Sequence, residues 1–82
     1  MLTPEASRAA RGLLHWGVRE LATKAGVSWT TVSQFENGRL MRDSTAAKIM
    51  AALEAAGVML VTDEKLTGAV LIYGRRGVAG RT

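Results

Sequence analysis

The sequence predicts a mainly α-helical fold: four helices, followed by a C-terminal β-hairpin. Apolar residues recur at helical spacing through residues 1–57. That periodicity is interrupted at Gly26, Val27 and Ser28, residues suited to a tight corner between two short helices. After Gly57 the apolar period falls from about 3.6 to about 2, the signature of extended strands. The expected organisation is a helical domain over residues 1–57, a hairpin over 58–73 and a flexible basic tail over 74–82.

The first helix opens at Thr3, Pro4 and Glu5, which combine a capping hydroxyl, proline at the first helical position and an acid facing the positive end of the helix dipole. It is expected to run to about His15, with Ala6, Ala9, Ala10, Leu13 and Leu14 turned inward and Arg8 outward. Trp16 is expected in the core, between this helix and Leu21. His15 has no second His, Cys or carboxylate at ligand spacing, which argues for a helix-end role and against a metal site.

The next two helices meet at the corner. Leu21, Ala22 and Ala25 share one helical face, and Val32 and Phe35 resume that periodicity beyond it, so two short helices contribute to one small core. Gly26 stands where the chain must leave the first of them through a positive φ. Val27 then drops into the angle between the helices, and Ser28 is a natural N-cap for the second. Ala22 is small enough for the second helix to cross the first closely. Thr31 is expected partly inside, which leaves Trp29, Thr30, Ser33, Gln34 and Asn37 on the outward face. This is the pattern of a helix-turn-helix.

The residues that carry the pattern are Arg11, Gly12, Leu13 and Leu14; Glu20, Leu21 and Ala22; Ala25, Gly26, Val27 and Ser28; and the run Val32, Ser33, Gln34, Phe35, Glu36, Asn37, Gly38 and Arg39. Over residues 4–57 they resemble the lambda-repressor-like helix-turn-helix family, also called the Cro or xenobiotic-response-element family. The resemblance implies a four-helix DNA-binding domain in which Arg11 pairs with Glu36 and ties the first helix to the end of the third. It also implies a grip on phosphate at Asn37, Gly38 and Arg39, through backbone amides and a guanidinium; a plain helix C-cap is the alternative for Asn37 and Gly38. Many members carry Gln at the first residue of the leading helix, where it touches phosphate. This chain has Val18 there, with Arg19 beside it as a replacement charge.

For a helix laid in the major groove, N-terminal side chains reach base edges, Gln addresses adenine bidentately, and Thr or Trp presses apolar atoms on a thymine methyl. The expected base contacts are therefore Trp29, Thr30, Ser33 and Gln34, and the expected backbone contacts are Arg19, Ser28, Asn37 and Arg39. Trp29 has two readings, contact with a base or sugar and packing within the protein.

A fourth helix is expected after Met41 and Arg42, capped by Asp43 or Ser44, with Ala46, Ile49, Met50, Leu53 and Ala56 at helical spacing and Gly57 as its stop. Lys48 lies on it, on a solvated face or within reach of a DNA backbone. Residues 58–61 and 69–73 read as strands around a polar loop at 63–68. Ten of the sixteen residues from 58 to 73 are apolar, on both faces of each strand, whereas a lone hairpin on a helical domain should show one polar face. The second face is covered either within one subunit or by a second copy of the chain. In the second case Val58, Leu60, Val70 and Ile72 form the dimer interface. The Gly-rich, basic tail is a solubilising end or a DNA arm.

Composition limits the function. A net charge of +4 and a pI near 10.4 suit a polyanionic partner and would equally fit a ribosomal or membrane-surface protein. The lack of Cys removes disulfides and thiolate metal sites and fits a reducing cytoplasm. No signal peptide and no apolar run of about 18 residues is found, so no membrane role is expected. Neither a Ser-His-Asp order, nor paired-carboxylate spacing, nor a phosphate-cradling Gly loop occurs, so no enzyme activity, catalytic residue or cofactor is expected. The expected function is that of a homodimeric transcriptional regulator, a repressor or activator of the cytoplasm, binding double-stranded DNA at an inverted repeat and open to control by a competing or partner regulator. The alternative is an antitoxin or protein-interaction module built on a helix-turn-helix.

Overall fold

The computed structural model describes residues 2–63 and 66–71. Four helices, α1 (Pro4–Leu14), α2 (Val18–Ala25), α3 (Trp29–Glu36) and α4 (Asp43–Ala55), precede an antiparallel hairpin of β1 (Val58–Asp63) and β2 (Leu66–Leu71). The mainly α fold with a C-terminal hairpin is thus the architecture of the chain. No helix among the described residues is long and apolar enough to cross a membrane.

Local chemistry sets the starts of α1 and α3. The Thr3 hydroxyl accepts from the Ala6 amide at 3.1 Å, with Pro4 in the first turn, and the Ser28 hydroxyl accepts from the Thr30 amide at 3.2 Å. At α4 the capping position falls to Arg42, which makes no side-chain cap bond, so neither Asp43 nor Ser44 is the cap. Asp43 instead sits in the first turn, where its charge faces the positive end of the dipole.

The ends of α1, α2 and α3 share one closure. Past α1, the amides of His15 and Trp16 donate to the carbonyls of Gly12 and Arg11. Past α2, those of Gly26 and Val27 donate to Thr23 and Ala22. Past α3, those of Gly38 and Arg39 donate to Phe35 and Gln34. This is the paired 5→2 and 6→1 bonding of a Schellman turn, which needs a left-handed residue at its centre. Gly26 (φ 73°) and Gly38 (φ 102°) supply it cheaply, whereas α1 ends on a left-handed His15 (φ 59°).

The core forms where α2, α3 and α4 meet α1 and the hairpin. Leu21, Val32, Ile49, Leu53 and Val58 are fully buried beside Ala6 and Ala10, and each large one contributes about 1.5–3 kcal/mol relative to exposure. α1 lies along β2, and its small face of Ala6, Ser7 and Ala10 allows the close approach. Leu13, expected inside, is 39% exposed, and the buried place on that face belongs to Ser7. Its hydroxyl donates to Glu36 Oε2, which makes the burial tolerable.

The hairpin departs from expectation in length and in facing. Pairing runs from Val58↔Leu71 to Asp63↔Leu66, so residues placed in a polar loop at 63–68 belong largely to strands. Val58 and Leu60 share the inner face with Ala69 and Leu71, all packed on the core, and Val58 has no exposed surface left for a partner. Val70 pairs with Met59 on the opposite face, where the two are 45% and 49% exposed. The proposed interface set of Val58, Leu60, Val70 and Ile72 therefore mixes the two faces, because alternation sends neighbours in a strand to opposite sides. Ile72, Tyr73 and the basic tail lie outside the described residues.

Candidate nucleic-acid interface

The corner between α2 and α3 places the candidate residues. Val27 packs against the core, and its amide closes α2 on the Ala22 carbonyl at 3.0 Å. Ala22 is nearly wholly buried where the helices cross. With Val32 and Phe35 turned inward, Trp29, Thr30, Gln34 and Asn37 are exposed on α3 and Ser33 is half-buried among them. The face expected to be outward is outward, with Ser33 its least accessible member. Ser28 is exposed too, with its oxygen engaged by the Thr30 amide.

Arg19 and Trp29 come together across the corner. The Arg19 guanidinium carbon lies 4.1 Å from the centroid of the Trp29 ring, a cation–π stack joining the first turn of α2 to the first residue of α3. Trp16 is half-buried against the core, with the Lys24 ammonium 5.7 Å from its ring.

The end of α3 is held from inside. The Glu36 carboxylate is 6% exposed and receives Arg11 through Nε–Oε2 at 3.0 Å and Nη2–Oε1 at 2.7 Å, with Ser7 Oγ at 2.5 Å from Oε2. Arg11 also donates to the Trp16 carbonyl at 3.1 Å, and Arg8 donates to the Glu36 carbonyl. The hydrogen bonds Arg11 donates to Glu36 raise the Arg11 pKa; desolvation opposes this, and the carboxylate charge adds to it. Sequence reasoning reached Arg11 and Glu36 but missed Ser7 and Arg8. The signal for Ser7 was its place one helical turn before Arg11.

Two consequences follow for anion binding. The amides of Asn37, Gly38 and Arg39 all donate to helix carbonyls, so the expected amide grip on phosphate is spent on the C-cap and only side chains remain there. Arg8 and Arg11 are likewise occupied by Glu36, whereas Arg19 and Arg39, both exposed, pair with no carboxylate among the described residues. Arg19 and Arg39 thus stand free of carboxylates before and after the outward face of α3.

Among the described residues no group of three His, Asp or Glu is placed to hold a metal. An apolar groove of about 440 Å³ lies between α3 and α4, lined by Leu2, Phe35, Met41, Ala46 and Met50, with the fully exposed Leu40 at its rim. Comparison of the chain with protein-family models and with curated proteins found no match.

Proposed function

We propose that the protein is a sequence-specific transcriptional regulator of the lambda-repressor-like type, binding duplex DNA through α3. The observation that carries this reading is the α2–α3 corner, with Thr30, Ser33 and Gln34 on an outward helix face and carboxylate-free Arg19 and Arg39 at its two ends. Thr30, Ser33 and Gln34 read base edges in the major groove. Arg19 and Arg39 take phosphates, with Ser28 and Asn37 adding hydroxyl and amide contacts from their side chains. No step of this role needs a catalytic group or a cofactor.

The protein acts as a homodimer on an inverted repeat, with its two α3 helices about one DNA turn, roughly 34 Å, apart. The outer face of the hairpin, with Met59 and Val70 paired and half exposed, is the surface offered to the second copy. A cytoplasmic setting follows from the target.

The test is selection of bound duplexes from a random pool, followed by titration of the selected site with salt. With about 4–8 phosphate contacts per dimer, log K should fall with log salt at a slope of about −4 to −7. A flat salt response removes the DNA reading. A protein-interaction module is the second reading, favoured by the apolar groove and by Leu40 at its rim. A protein that enriches no duplex sequence and stays monomeric supports it.

A further inference from the structure

We propose that Arg19 and Trp29 form a single phosphate-gripping unit, in which the Trp29 ring holds the Arg19 guanidinium in place and Trp29 is a positioning residue rather than a base reader. The inference rests on the DNA reading above and assigns a role within it.

The Arg19 guanidinium carbon lies over the Trp29 ring, 4.1 Å from its centroid. The N–H donors of arginine lie in the guanidinium plane, so stacking leaves its rim available. Among the described residues the Arg19 side chain makes no hydrogen bond and meets no carboxylate; only its backbone carbonyl is engaged, by the Thr23 hydroxyl at 3.0 Å. The indole N–H of Trp29 has no acceptor among the described residues either. The unit thus presents a charged rim of donors and one neutral donor, with no acceptor of its own, and an anionic phosphodiester oxygen answers both the donors and the charge. One face of the ring is already covered by Arg19, which takes area from any thymine methyl. An arginine without such a platform would lose more rotamer freedom when it met a phosphate, so the ring acts by preorganisation.

Binding of the full chain to its selected duplex and to an unrelated duplex of equal length, measured across salt, tests the unit. Circular dichroism confirms the fold of each variant. Arg19→Ala should weaken both duplexes alike and lower the salt slope by about one per protomer. Trp29→Ala should weaken both by one common factor of about 2- to 5-fold, and Trp29→Phe, which keeps a ring face, should recover most of it. In the Arg19→Ala background, Trp29→Ala should add almost nothing. The proposal is overturned if Trp29→Ala alters preference at particular base pairs, or if its full factor persists without Arg19. Wild-type protein that retards no duplex at all overturns the DNA reading first and this role with it. Wild-type binding with independent effects of the two residues overturns this role alone.

Discussion

Arg11 grips Glu36 with two hydrogen bonds, at 3.0 and 2.7 Å, and so fastens the first helix to the last residue of the third. The carboxylate is 6% exposed and the arginine side chain 19%, so removing one partner strands a charge away from water. Arg11→Met should cost about 3–5 kcal/mol in urea denaturation, and Arg11→Met with Glu36→Leu less than that. A single-variant cost below about 1 kcal/mol would show the pair to be dispensable. The raised Arg11 pKa contributes stability that is complete below the ordinary arginine value and lost only as pH climbs through the folded one. Arg11 therefore adds no slope to stability between about pH 5 and 9.

Two positions at the C-terminal end of α1, its cap His15 and Gly12, leave stability unused. His15 holds a left-handed φ of 59°, a strain of about 1–2 kcal/mol for a residue with a Cβ. His15→Gly should recover about 1 kcal/mol after the added unfolded-state entropy of Gly. Gly12 sits within the helix, and a Cβ there would meet nothing within 4 Å, so Gly12→Ala should add up to about 1 kcal/mol. Each change should raise the melting temperature by about 4–8 °C. A fall on His15→Gly would mean that the imidazole contributes a contact larger than the strain.

Within the DNA reading, Gln34 and Arg39 should separate by the kind of loss. Gln34→Ala or Thr30→Ala should weaken specific binding by about 1–3 kcal/mol and relax preference at particular base pairs. Arg39→Ala should weaken every sequence alike and reduce the salt slope by about one per protomer. Reversal of the two patterns in competition mobility shifts would reverse the assignments.

The two faces of the hairpin make opposite predictions for one substitution. Met59→Asp or Val70→Asp places a charge on the outer face, so a homodimer should become a folded monomer that keeps its helical circular dichroism. Leu60→Asp or Val58→Asp places the charge against the core and should unfold the domain. Sedimentation at tens of micromolar separates these outcomes, and a wild-type monomer at that concentration removes the dimer.

The corner of α2 and α3 was legible because Gly26, Ser28 and the facing of Val32 and Phe35 are dictated by neighbouring atoms in the chain. The hairpin was legible as a hairpin and not in its facing, since all four residues from 58 to 61 are apolar and offer no polar partner to mark the outside. Docking of α1 on β2 makes that choice, and it lies more than forty residues away in sequence. Arg19 and Trp29 were each legible as exposed residues beside the corner. Their stacking was not, because it depends on how two helices cross. The spent amides at Gly38 and Arg39 show the same limit: a Gly after a helix announces a closure, and only the bonds reveal that the closure consumes the donors.

The bonds at Glu36 span 25 to 29 residues of sequence, from Ser7, Arg8 and Arg11. A local fluctuation of α3 that pulled Glu36 away would break all of them at once and leave the largely buried Arg11 guanidinium without its carboxylate. Amide protons in the interior of α3, at Val32 and Phe35, should accordingly exchange with solvent only through the same opening that exposes Ala10, so that the outward helix and the first helix share one unit of cooperativity.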